Sequence, residues 1–174
     1  WAWTAEAATF AAEEELRLEL FFVDGSQAAT RSETLNKTDA MLERATRILQ
    51  TTFWAGDAIC PVRFGAASVE AELPGSLPGF SCSSLVFPVD PGIHLTPCAG
   101  DGQSALGTIQ ARVGVGPSFT SPINQIAHLL THEVGHGVGL EHYGYAPPLY
   151  PTLMYYINSP EGPWRGFEHE TINS

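Results

Sequence analysis

The chain has 174 residues, 44% of them hydrophobic, which suits one domain, or one domain in two lobes, with a real core. Nineteen acidic against eight basic residues leave a net charge of −11, which argues against nucleic acid or an anionic membrane as the main partner. No run of 18 apolar residues occurs, so no transmembrane helix is expected.

Residues 1–14 are rich in Ala and Glu, with Trp1, Trp3 and Phe10, and read as an arm or a loose terminus. The chain opens at Trp1 rather than Met, as a mature or trimmed form would. Leu16, Leu18, Leu20 and Phe22 alternate with Arg17, Glu19 and Phe21, which predicts a strand ended by Asp24-Gly25. Residues 33–53 follow as a long helix. Its apolar stripe is Leu35, Leu42, Ala45, Leu49 and Thr52, widened by Met41, Ile48 and Phe53. Glu33/Lys37 and Glu43/Arg47 place opposite charges four residues apart on its wet face.

Residues 54–121 are strand and loop sequence, broken often by Gly and Pro. Candidate strands are 61–64, 67–73, 84–89, 92–97 and 106–115, and either 92–97 or 106–115 is expected at a sheet edge above a cleft. Cys60, Cys82 and Cys98 allow one disulfide in three pairings. Cys82–Cys98 is favoured because both lie in loop-like sequence and close a short loop. Asp57, Asp90 and Asp101 sit beside Gly or Pro and read as solvated turn acids.

A second helix starts near Ser121, a plausible N-cap, with Pro122 at the first helical position. Ile126, Leu129, Leu130 and Val134 would face the sheet. On another side stand His132 and His136, at i and i+4, able to aim two imidazoles at one point. The full run is His132-Glu133-Val134-Gly135-His136-Gly137-Val138-Gly139-Leu140-Glu141-His142. Gly139 tolerates φ > 0, so the chain can turn back and deliver His142 as a third ligand. Three protein ligands with an open fourth position are the pattern of a catalytic zinc ion. Glu133 is placed to act on a water as a base rather than to bind the metal. His128 lies about 12 Å along the axis from His136, too far for one metal to bind both easily, and reads as a cleft-wall or hydrogen-bonding residue.

Twelve residues after His142 comes Met154, in Pro151-Thr152-Leu153-Met154-Tyr155-Tyr156. With H-E-x-x-H-x-x-G-x-x-H before it, the chain resembles the metzincin clan of zinc peptidases over residues 132–156. The Leu-Met-Tyr turn is similar to that of matrixins. Tyr156, where matrixins usually have Pro, is similar to the zinc-proximal Tyr of astacins and serralysins.

The resemblance implies an α/β zincin fold: a twisted mixed sheet with two long helices in an N-terminal lobe of about 15–139. A small irregular C-terminal lobe of about 140–174 would lie below the zinc cleft. It implies a zinc-dependent endopeptidase with His132, His136 and His142 on Zn2+ and Glu133 as general base. Tyr156 would be an oxyanion donor or a pocket wall, and Met154 a floor under the histidines. Residues 155–158 and the segment between His142 and Tyr150 would line the pocket for the substrate side chain. Many relatives bind Ca2+, but no D-x-[DN]-x-[DN]-G loop occurs here. The expected partner is a protein or peptide substrate, and the expected state is a secreted monomer. Two other readings stay open: a catalytically silent zinc-binding adhesion or inhibitory module, and a metal-dependent hydrolase of a non-protein amide.

Overall fold

The structure, a computed structural model, describes residues 14–23, 25, 26, 31–50, 62–70, 82, 91–108, 110–142, 153 and 154. Its elements are β1 (Glu14–Phe22), α1 (Arg31–Gln50), β2 (Val62–Glu70), β3 (Gly92–Thr96), β4 (Ala99–Ser104), β5 (Gln110–Val115), a short 3-10 turn (Pro117–Phe119) and α2 (Ile123–Gly137). The strands form one sheet in the order β2-β1-β3-β5-β4. All neighbours are parallel except β4, which runs antiparallel to β5. A mixed sheet with two helices is the α/β zincin-like architecture that the motif implied.

The core sits between one face of the sheet and the helices. Leu18, Leu20 and Phe22 of β1 meet Ile93 and Leu95 of β3 and Ala111, Val113 and Val115 of β5. The two-residue period of each strand puts these side chains on one face. Against them lie Met41, Ala45 and Ile48 of α1 and Ile126, Ala127 and Leu130 of α2. Leu153 and Met154 are fully buried in the same cluster. The other face is polar at its centre. There Arg112, 3% exposed, pairs with Asp101 at 3.1 Å, and His94 stacks on Phe21 at 5.2 Å between ring centroids.

Several expectations need correction. Strands 61–64 and 67–73 are one strand over 62–70, carried across the break by a register shift between Ala66 and Ser68. Neither 92–97 nor 106–115 is the edge above the cleft. β3 and β5 are interior strands, and β4, unforeseen in the sequence, is the edge among the described residues. Its residues (AGDGQS) carry no apolar alternation, and pairing with β5 supplies the strand geometry. The buried face of α1 begins with Thr34 and Thr38, while Leu35 is 37% exposed. Thr38 is accommodated because its hydroxyl donates to the Thr34 carbonyl at 2.9 Å. Pro122 is the N-cap of α2 with no side-chain cap bond, so Ser121 lies one residue outside. Asp101 is no solvated turn acid, since it lies in β4 and pairs with a buried arginine.

Other expectations match. The ion pairs Glu33–Lys37 (3.1 Å) and Glu43–Arg47 (2.5 Å) line the exposed side of α1. A disulfide joins Cys82 to Cys98. Cys60, strand 84–89, Thr52 and Phe53, Asp57 and Asp90, the N-terminal arm before Glu14 and nearly all of 143–174 lie outside the described residues. No described helix is long and apolar enough to cross a membrane.

Candidate metal centre and cleft

Helix α2 carries most of the site. Its apolar side keys into the core, so the opposite side faces an open cleft of about 350 Å³ between α2 and β4. His132, Glu133, His136 and His142 line that cleft with Gly102 and Ser104 of β4.

The helix ends where the sequence requires. Gly139 has φ +95°, and Leu140 N–H donates to the Gly135 carbonyl at 3.0 Å while Gly139 N–H donates to that of His136 at 2.9 Å. These two bonds are the pattern of a helix closed by a left-handed glycine. The reversal brings His142 back toward α2. Its Nε2 lies 3.1 Å from Nε2 of His132 and 3.1 Å from Nε2 of His136.

Two backbone carbonyls orient the helical imidazoles. His132 Nδ1 donates to the Leu153 carbonyl at 2.7 Å, and His136 Nδ1 donates to the Leu140 carbonyl at 2.6 Å. A carbonyl only accepts, so each Nδ1 carries the hydrogen and each Nε2 presents a lone pair. His142 Nε2 carries at most one hydrogen and cannot donate well to both neighbours. The three nitrogens therefore form a nest of lone pairs that a cation relieves. Tetrahedral zinc with Zn–N near 2.0–2.1 Å needs nitrogens about 3.3–3.4 Å apart, close to the spacing found. The three histidines are the one group among the described residues with metal-ligating spacing. Three imidazole nitrogens suit zinc, whereas magnesium and calcium select oxygen donors.

Burial shapes the protonation of the site. It lowers His132 to about 4, against the opposing pull of the Leu153 carbonyl, and the other histidines add to the lowering. Burial lowers His128 to about 4 as well. His142 is lowered by burial and then by the charge of His136. A neutral imidazole is the form a metal needs. Burial raises Glu133 to about 7, and the charge of Asp101 adds to the rise. The neighbouring Ser104 hydroxyl and Arg112 guanidinium act against it. Ser104 lies close enough to act on the carboxyl, but the two make no formed hydrogen bond. Glu133 is 3% exposed, and its Oε2 has no hydrogen-bond partner.

The structure thus brings together four of the five residues singled out in the sequence: His132, Glu133, His136 and His142. The fifth, Tyr156, lies outside the described residues, as do residues 155–158 and the segment 143–150. His128 is buried, with its ring centroid 6.3 Å from that of His132, and it is not in the three-histidine group. Sequence reasoning missed Gly102 and Ser104. A Cβ at Gly102 would collide with Glu133 Oε1 and with Leu129, so a bare backbone here makes room for the carboxylate. Alternating glycines between two predicted strands were the one available signal.

Residues 95–147 match the model of the Peptidase_M57 family, described as dual-action HEIGH metallo-peptidases. That span is less than half of the chain, and it contains β4, β5, α2 and all three histidines. The match supports a zinc metallopeptidase. No curated protein matches the chain.

Proposed function

We propose that the protein is a zinc-dependent endopeptidase of metzincin type, acting on extended protein or peptide substrates. The observation that carries this reading is the trio of Nε2 atoms beside a buried glutamate. Two of those nitrogens have their lone pairs fixed by backbone carbonyls.

His132, His136 and His142 would hold the metal through Nε2. When bound, zinc supplies a Lewis acid that makes a water acidic near neutral pH and offsets negative charge growing on a carbonyl oxygen. Glu133 takes a proton from the attacking water at its carboxylate and passes it to the departing amine nitrogen. Burial beside the three histidines suits it to both steps, because it holds the carboxylate in the cleft where water and departing amine would lie. β4 is a sheet edge among the described residues, so an extended peptide laid along the cleft could pair with it as a further strand. Such an edge favours a polypeptide over a small amide.

Met154, fully buried, would floor the site beneath His132, and Tyr156 would donate a hydrogen bond to the oxyanion. The Cys82–Cys98 disulfide supports a secreted protein, since such bonds persist in oxidising compartments. Turnover of a quenched fluorogenic peptide by zinc-reconstituted protein tests the reading. Glu133→Gln should keep one zinc per chain and lose about 10²–10⁴-fold in kcat. Undiminished turnover by that variant would refute the assignment of the base.

A further inference from the structure

Several polar atoms lining the cleft are left without hydrogen-bond partners, two of them on facing elements. Ser104 Oγ and Glu133 Oε2 are both shut off from solvent, and neither makes a hydrogen bond. Buried polar groups are nearly always paired, so a donor and an acceptor left open in one cleft call for an explanation.

The backbone places them side by side. Residues 102 and 104 share one face of β4. Glu133 Oε1 and Leu129 occupy the space that a side chain at Gly102 would fill. Just beyond β4, Gly107 N–H donates to the His136 carbonyl at 2.9 Å. β4 therefore runs alongside α2 in the same direction, pinned at Glu133 and again at His136. Ser104 falls between the two pins, level with the turn of helix that carries Glu133.

We propose that Ser104 is a positioning residue for Glu133: its hydroxyl, by rotation about Cα–Cβ, donates to Glu133 Oε2 and holds the carboxylate toward the cleft. The inference rests on the reading of Glu133 as the base. A carboxylate anchored at one oxygen keeps the other aimed at the water it deprotonates, and loss of such orientation lowers turnover rather than binding. Ser104 is suited to this because it is small, fits beside the bare backbone of Gly102, and turns freely enough to follow the carboxylate through both proton transfers.

The test compares wild type, Ser104→Ala and Ser104→Thr, each reconstituted with zinc. Ser104→Ala should lower kcat about tenfold, the effect of one lost hydrogen bond, with KM and zinc content unchanged. Ser104→Thr, which restores the hydroxyl, should recover most of that loss. A kcat for Ser104→Ala within about twofold of wild type, a rise in KM alone, or no recovery in Ser104→Thr would overturn the proposal.

A second measurement does not depend on turnover. In zinc-free protein, Ser104→Ala, Glu133→Ala and the double variant form a thermal-denaturation cycle. A contact between the two side chains makes the Tm shift of Ser104→Ala depend on whether Glu133 is present. Equal shifts in both backgrounds would overturn the contact. No turnover by wild type with a non-additive cycle would sink the peptidase reading and leave the Ser104–Glu133 contact standing. An active enzyme with an additive cycle would do the reverse.

Discussion

His132 Nδ1 donates to the backbone carbonyl of Leu153 at 2.7 Å, across 21 residues of chain. One bond thus ties the first histidine of the three-histidine group to the turn that carries the buried Met154. It fixes the imidazole's tautomer and couples the metal site to the core.

Met154→Ala is therefore expected to act at two levels. Emptying a fully buried site should cost about 2–5 kcal/mol of stability. The turn below it should loosen, and zinc affinity should fall as His132 loses its orientation. Met154→Leu, close in volume, should cost less than about 1.5 kcal/mol and keep the metal. Denaturant melts with zinc titrations on both variants check this. Equal zinc affinity in wild type and Met154→Ala would show that the turn does not orient His132.

Gly139 sets the position of the third histidine. At φ +95° any side chain is strained, so Gly139→Ala should destabilise the helix end by about 1–2 kcal/mol. His142 comes from the segment just past this reversal, so zinc affinity should fall by more than the stability loss alone implies. Isothermal titration with zinc reads the effect, and an unchanged affinity would mean that His142 reaches the site without the turn.

The zinc-free protein should respond to pH in a direction that can be worked out. His128 and His132 are lowered from 6.5 to about 4, so between those values the unfolded chain binds protons that the folded chain refuses. Stability is then lost as pH falls from 6.5 toward 4. Glu133 acts oppositely. It is raised from 4.5 to about 7, so the folded state holds its proton longer and loses stability as pH rises through that window. His142, lowered as well, adds to these two histidines against one glutamate, and acidification from 6.5 to 4.5 weakens the fold on balance. Each uncompensated proton is worth about 1.4 kcal/mol per pH unit. Glu133→Gln removes the opposing group and should steepen this dependence by about one proton, roughly 1.4 kcal/mol per pH unit. Calorimetric melts in chelator from pH 4.5 to 6.5 measure it, and a shallower dependence in the variant would contradict the assignment.

Some of this was legible in the sequence and some was not, for physical reasons. β1 and α2 announce themselves because each buries one face, which leaves a period of two in Leu16 to Phe22 and a helical stripe in Ile126 to Val134. The three-histidine group was legible because i, i+4 spacing and a terminating glycine have one geometric consequence each. β4 was not, because Ala99 to Ser104 takes its strand form from pairing with β5 and its position from close approach to α2. Both are tertiary facts that leave no periodic trace. Asp101 was misread for the same reason: its partner, Arg112, is near in space but sits on another strand. The start of α1's buried face at Thr34 rather than Leu35 shows a local hydrogen bond, from Thr38 to the Thr34 carbonyl, replacing an apolar contact.

If the three histidines and Glu133 form one hydrolytic centre that cuts within polypeptides, mass-spectrometric mapping of cuts in a diverse peptide library will reveal it. Zinc-loaded wild type, wild type with a chelator, and Glu133→Ala would be run side by side. Internal cuts by wild type that vanish in both controls are expected. Cuts that persist in Glu133→Ala, or no internal cuts by zinc-loaded wild type, would contradict such a centre.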